Sequence, residues 1–181
     1  RQTQQLANTS VDDRLAVVSP QQDKVAYVGL ATGTEEIWLT DSDGQNQRQL
    51  SQFRDQRHFL DLAWSPDGKL LAALMLNEIH LFDISQNSSR VLPIPQPEIR
   101  AISFRDQQNL FYSVKQSGNW RVKQYHLATN EVSAAQSKWQ YVRFAAIADD
   151  PALVATVTAV TAIVSAIAAV AAIAAIAAIA A

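Results

Sequence analysis

The sequence predicts an all-β chain: a partial β-propeller of four-stranded antiparallel blades, with about three to four blades visible. The first observation behind this is a repeated segment. Trp64-Ser65-Pro66-Asp67-Gly68-Lys69 is followed by an apolar run and then Ile79-His80-Leu81-Phe82-Asp83. Ser19-Pro20-Gln21-Gln22-Asp23-Lys24 leads in the same way to Ile37-Trp38-Leu39-Thr40-Asp41. An altered copy, Phe104-Arg105-Asp106-Gln107-Gln108-Asn109, leads to Val122-Lys123-Gln124-Tyr125-His126. The second observation is the spacing. Val18, Trp64, Phe104 and Phe144, which end first strands, recur at intervals of 46, 40 and 40 residues; Asp41, Asp83 and His126, which end third strands, recur at 42 and 43. A period of about 40–45 residues with strand–turn–strand content is the mark of a propeller blade. The third is that each unit reads as a sheet with two apolar faces, which only neighbouring units can cover.

The second unit shows why each element forms. Leu60 to Trp64 is an apolar-rich first strand. In the turn Ser65-Pro66-Asp67-Gly68, proline presets φ at the first corner and glycine accepts a positive φ near the end. Leu70 to Met75 is unbroken apolar sequence, as a strand buried on both faces requires. After a turn at Leu76-Asn77, Glu78 to Asp83 is the third strand, and beyond the polar loop Ser85 to Ser89 a fourth is expected at Arg90 to Ile94. Pro93, Pro95 and Pro97 fit an outer strand with a free edge. In the first unit the strands are Leu15 to Val18, Lys24 to Val28, Glu36 to Thr40 and Arg48 to Leu50, joined by hairpins at Thr32-Gly33-Thr34 and Asp41-Ser42-Asp43-Gly44. In the third they are Ala101 to Phe104, Leu110 to Lys115, Trp120 to His126 and Glu131 to Ala134, with a hairpin at Ser117-Gly118-Asn119.

The blades are thus expected at residues 10–54, 55–97 and 98–138. The outer strand of a preceding blade is expected at 1–9, where Gln4-Gln5-Leu6 matches Arg48-Gln49-Leu50, and a fourth blade at 139–181. The first residue is Arg1, so the chain is expected to be a cut piece or a mature product, and a four-blade-sized part of a larger ring. All charged residues lie at or before Asp150, and 151–181 hold only Pro, Ala, Leu, Val, Thr, Ile and Ser. Three readings of that stretch stay open: a transmembrane helix, a low-complexity helical extension, and letters that stand in for unidentified side chains. The third is favoured, because the residue types are small or β-branched and the length suits a fourth unit.

The chain has a formal net charge of −2 and no cysteine. A near-neutral balance gives no basis for nucleic-acid contact, and without cysteine there is neither a disulfide framework nor a thiolate metal site. No cofactor or metal is expected. Asp41, Asp43 and Gly44 suggest a calcium loop, but its twelfth position is Gln52, so a hairpin turn held by Asx bonds is favoured. His58, His80 and His126 lack zinc-ligand spacing. No Gly-x-Ser-x-Gly elbow exists. Ser19, Pro20, Ser65, Pro66, Asp67, Gly68, Asp41 and Asp83 read as structural turn residues, so the chain is read as non-catalytic. The binding candidates are Arg54, Arg57, His58, Arg100 and Arg105, in or beside inter-blade connections, with Asp55 close by and Arg143 in the fourth unit. They would take a small anionic ligand or an acidic protein loop at the rim. Trp38, Trp120 and Trp139 serve as interface anchors or as core filler. Arg57→Ala and Arg100→Ala are both expected to weaken binding without lowering the melting temperature.

Ser65-Pro66-Asp67-Gly68-Lys69 followed by Ile79-His80-Leu81-Phe82-Asp83 resembles two related propeller families. The stretch from Asp41-Ser42-Asp43-Gly44 to Gln49-Leu50-Ser51 is similar to the TolB-type repeat. Ile79 to Asp83 resembles the WD repeat, with Phe82 in the place of its Trp, although the Gly-His pair of WD repeats is absent. The resemblance covers about Gln4 to Phe144. It implies a non-catalytic binding or sensor module in the bacterial periplasm. The leading expectation is the exported part of a ToxR-like transmembrane transcription regulator, tethered to the inner membrane through a missing or C-terminal segment. The glutamines (Gln2, Gln4, Gln5, Gln21, Gln22, Gln45, Gln47, Gln49) have that character. The alternatives are the gating propeller of a prolyl-oligopeptidase-like peptidase and a TolB-like periplasmic scaffold.

Overall fold

The computed structural model describes residues 13–76, 78–94 and 98–135. They form twelve strands in three four-stranded antiparallel sheets. The first sheet holds β1 (Asp13–Val18), β2 (Lys24–Gly29), β3 (Glu36–Asp41) and β4 (Arg48–Gln49) in chain order. The second holds β5 (Phe59–Trp64), β6 (Leu70–Met75), β7 (Glu78–Asp83) and β8 (Ser88–Val91), and the third β9 (Ile99–Phe104), β10 (Asn109–Gln116), β11 (Asn119–His126) and β12 (Val132–Ala134). The first strands of the three sheets lie side by side, β5 touching both β1 and β9, which is the stacking of propeller blades. The expected strand at 1–9, the fourth blade at 139–181, Asn77, Pro95, Pro97, Trp139 and Arg143 lie outside the described residues.

Period-2 alternation explains how one sheet fills two interiors. From the second sheet, Ala72, Leu74, Ile79 and Leu81 join a buried cluster with Ile99, Ile102, Phe104, Leu110 and Tyr112 of the third. The residues between them, Leu71, Ala73, Met75 and Phe82, join a cluster with Ala26, Val28, Ile37 and Leu39 of the first. Hydrogen bonds stitch the same seams. Trp64 Nε1 donates to Val17 O at 3.1 Å. Arg48 Nη2 donates to Ile84 O at 3.5 Å, and its repeat counterpart Arg90 donates through Nη2 to Leu127 O at 3.0 Å.

The fourth strand of the second unit ends earlier than expected, at Val91 and not at Ile94. Pro93 has no N–H with which to continue the ladder. Leu92 and Ile94 leave the strand and bury in the shared interior, where the Leu92 amide bonds Ile79 O at 2.8 Å. The hairpin of the third unit is the two-residue turn Ser117-Gly118, with φ of 51° and 79°, and Asn119 already pairs with Gln116. Positive φ at both central positions gives the twist that an antiparallel hairpin needs.

The blade-opening turns of the first two units share one backbone course, and that of the third closes one residue sooner, with the Arg105 amide on Asn109 O. Gly68 N bonds Ser65 O, and Gln22 N bonds Ser19 O. Ser65 Oγ donates to Asp67 Oδ1 at 2.7 Å and accepts from the Leu70 amide at 2.9 Å. Ser19 Oγ donates to Asp23 Oδ1 at 2.6 Å and accepts from the Lys24 amide at 3.1 Å. In the third unit Asp106 Oδ1 takes the amides of Gln108 and Asn109, each at 2.9 Å. Gly68 has φ of 66° where Gln22 has 58°. A side chain costs about 1–2 kcal/mol in that region. Gln22→Gly is therefore expected to raise unfolding free energy by about 1 kcal/mol in urea melts; an unchanged or lower value would refute the strain.

Candidate functional site

Antiparallel topology gives the sheets two unlike ends. One carries the inter-sheet connections together with the β2–β3 and β10–β11 hairpins. The other carries the blade-opening turns and the outer hairpins. Arg54, Arg57, His58 and Arg100 lie at the connection end. Arg105 does not: it follows β9, a six-residue strand that Arg100 nearly begins, so about 20 Å of strand separates the two ends. There Arg105 Nη1 bonds Gln124 Oε1 at 3.1 Å, and its guanidinium lies 5.9 Å from the centre of the Phe111 ring. Five arginine and histidine candidates therefore reduce to four at one rim. Ser19, Pro20, Ser65, Pro66, Asp67, Gly68, Asp41 and Asp83 all sit at the turn end.

The connection from the first sheet to the second is held from both sides. On the first sheet, Glu36 is 1% exposed; its Oε1 accepts the Arg54 amide at 2.9 Å and its Oε2 accepts the Ser51 hydroxyl. Ser51 Oγ in turn accepts the Ile37 amide at 2.8 Å. Glu35 accepts the Phe59 amide at 2.9 Å and pairs with Arg14, and His58 Nδ1 lies 2.9 Å from its Oε1. Arg14 also donates to Phe59 O at 2.8 Å. Burial pushes the Glu35 carboxyl up, but the Phe59 amide, Arg14 and His58 together hold it below its ordinary value.

On the second sheet, Glu78 begins β7 as Glu36 begins β3. Arg57 bonds Asp55 at 2.7 Å and Glu78 at 3.2 Å, and its guanidinium lies 4.6 Å from the centre of the Phe53 ring. His80 is buried, with Nε2 3.2 Å from Glu78 Oε2 and 3.4 Å from Arg57 Nη1, and Phe53 meets its ring edge-on at 4.9 Å. Burial holds the His80 pKa down against the pull of Glu78. Arg57 is thus part of the folded scaffold. Replacing it by Ala removes a cation–π contact and two half-exposed ion pairs, about 1 kcal/mol together. The expectation that Arg57→Ala leaves melting untouched is corrected accordingly.

Arg54 and Arg100 are exposed, and neither has an ion-pair partner among the described residues. Arg100 sits where β9 bulges against Val114, a geometry that re-aims a side chain. Similar irregularities interrupt β1 between Arg14 and Val17 and β5 between Phe59 and Asp61. Asp61 Oδ2 accepts the Ile102 amide at 2.9 Å across the seam between sheets, and burial raises its pKa. Trp38 and Trp120 are half-buried.

Among the described residues, the hydroxyl and imidazole groups near the connection are engaged in structural contacts. The Ser51 hydroxyl is sealed against Glu36, and His58 and His80 face carboxylates and guanidinium groups. His126 meets Thr129 Oγ1 at 3.2 Å in an exposed outer hairpin, where the Glu131 side chain and amide bond the same hydroxyl. Among the described residues no group of three His, Cys, Asp or Glu side chains is placed to hold a metal, and no helix is long and apolar enough to cross a membrane. Around Asp41 and Asp43 the bonds are those of a turn: Asp43 accepts the Gln45 amide at 3.0 Å, and Asp41 accepts Asn46 Nδ2 at 2.6 Å. Glu35, Glu36, Ser51, Phe53 and Arg14 were not singled out from sequence. The available signal was the glutamate that begins the third strand in both of the first two units.

The structure of TolB from Acinetobacter baumannii is similar to this chain, with a TM-score of 0.62 and 18% identity, over 75% of this chain and 35% of that one. So are the WD40 repeats of RRP9, with a TM-score of 0.56 and 16% identity over 71% and 39%. An oligogalacturonate lyase from Vibrio parahaemolyticus has a TM-score of 0.56 and 13% identity over 71% and 42%. The chain therefore spans less than half the length of each, and at these identities the likeness is one of fold. No curated protein matches the sequence. Residues 17–107, half of the chain, match the family described as Anaphase-promoting complex subunit 4 WD40 domain, and the stacked blades above are what such a match requires: the chain belongs to this WD40 propeller family.

Proposed function

We propose that the chain is a non-catalytic binding scaffold of the TolB-like kind, exported to the periplasm, that recognises a protein partner or small anionic ligand at its connection end. One observation carries the reading. A connection clamped between Glu36 and the Glu78–His80 pair holds Arg54 at the rim where exposed Arg100 also lies, and both guanidinium groups lack an ion-pair partner among the described residues. Cationic forks on a rigid frame lose little entropy when they take a carboxylate or phosphate. The TolB likeness supports the periplasm as the place. Attachment to a ToxR-like regulator or to a peptidase draws no such support, and the gene sequence on either side decides it: a winged helix with a membrane span, or a Gly-x-Ser-x-Gly domain.

The test compares partners captured from periplasmic extract by the full chain and by an Arg54→Gly/Arg100→Ala variant, identified by mass spectrometry. A defined partner is expected to be lost with the variant while the melting temperature holds. Equal capture by both proteins, or retention of the exported precursor in the cytoplasm on fractionation, would refute the proposal.

A further inference from the structure

A cleft of about 360 Å³ opens beside the clamped connection, lined by Thr32, Thr34, Glu36, Gln49, Gln52 and Arg54. Its size is at the lower end of small-molecule sites. The charges on its wall are unbalanced at close range. Glu36 is almost fully buried, yet both its oxygens are met by neutral donors, the Arg54 amide and the Ser51 hydroxyl. No cationic nitrogen lies within ion-pair distance of it among the described residues. A buried carboxylate ordinarily has a cationic partner, because neutral donors offset only part of the cost of leaving water. Arg54 lines the same cleft, and its guanidinium also has no ion-pair partner among the described residues. Among the described residues the remaining lining is two amides and two hydroxyls, with no aromatic face on which a sugar or base could stack.

We infer that this cleft binds a small zwitterion of the amino-acid type, its ammonium on the Glu36 carboxylate and its carboxylate on the Arg54 guanidinium. Gln49, Gln52, Thr32 and Thr34 supply hydrogen bonds of either sense to the rest of the ligand. Each charged group on the wall then gains the partner that the fold alone does not give it. The inference goes beyond rim recognition, in which Glu36 holds the Arg54 backbone but meets no ligand.

The test screens the standard L-amino acids one at a time against the full chain by thermal shift. The best is followed by isothermal titration together with its N-acetyl derivative, which lacks the ammonium, and its amide, which lacks the carboxylate. At least one amino acid is expected to raise the melting temperature, and each derivative to bind about tenfold more weakly or worse. Glu36→Gln and Arg54→Gly, both checked as folded by circular dichroism, are expected to weaken the parent by a similar factor, and Arg100→Ala to leave it unchanged. Should Glu36→Gln unfold, the two derivatives on the unmodified chain decide alone. The inference is overturned if no amino acid shifts the melting temperature, or if the N-acetyl derivative binds as tightly as its parent. A glutamine oxygen can still accept the Arg54 amide, so partner capture by the rim is expected to survive Glu36→Gln, and its failure and the failure of the cleft are separate results.

Discussion

Trp64→Ala is expected to lower the unfolding free energy by about 3–5 kcal/mol. Trp64 ends β5, its ring lies in the cluster shared by the first two sheets, and its indole N–H spans the seam to Val17 O. Truncation removes a large apolar surface and leaves a void among Leu62, Leu71 and Phe82, which belong to different strands of one sheet and cannot close in together. Trp64→Phe separates the two contributions. It keeps most of the ring and loses the bond, and about 1 kcal/mol is expected. Urea titration of the three proteins is the measurement. Equal midpoints for Trp64→Ala and the parent would mean that the first two sheets do not share an interior.

The second large effect is at Glu35. Glu35→Gln is expected to cost about 2–3 kcal/mol at neutral pH, less than a fully buried ion pair because Arg14 keeps a third of its side chain in water. The variant strips Arg14 of its counter-charge and weakens the bond to the Phe59 amide, at the point where the chain enters β5. The pH dependence has a definite sign. Glu35 is held below its ordinary value near 4.5, so its contribution is full above the unfolded value and is lost as pH falls through the folded one. The gap between parent and variant should therefore close in acid. Asp61 slopes the other way: its raised pKa gives stability that is lost as pH rises through the folded value, equally in both proteins. A gap that stays constant from neutral pH down to pH about 3 would exclude a charged role for Glu35.

The strands were legible because each rests on local chemistry. Leu70 to Met75 can only be a strand covered on both sides, and Ser65-Pro66-Asp67-Gly68 can only bend. Where the reading slipped, a distant partner decided. Leu92 and Ile94 look like strand residues, but Pro93 cannot continue the ladder and the interior shared with Ile99 and Tyr112 takes both side chains. The rim was half legible. Nearness to a connection placed Arg54, Arg57 and His58 correctly, but Arg105 has the same local surroundings and lies at the opposite end, because strand direction and not sequence distance sets the end. The occupation of Arg57 was legible only in part. Asp55 and Phe53 lie in the same connection, but Glu78 begins β7, and only the folding of the second sheet brings that strand to the guanidinium.

The blade-opening bends carry a consequence for how such a chain can change. Two different polar arrangements hold one backbone course in the first two units, a serine with an aspartate four residues on and a serine with an aspartate two residues on; in the third, a lone aspartate holds a turn one residue shorter. What that corner requires is an oxygen in place for the incoming amides, not one particular residue to bring it. A serine–aspartate pair of either spacing can therefore serve this corner, and the match between the first two units is closer in geometry than in residue order.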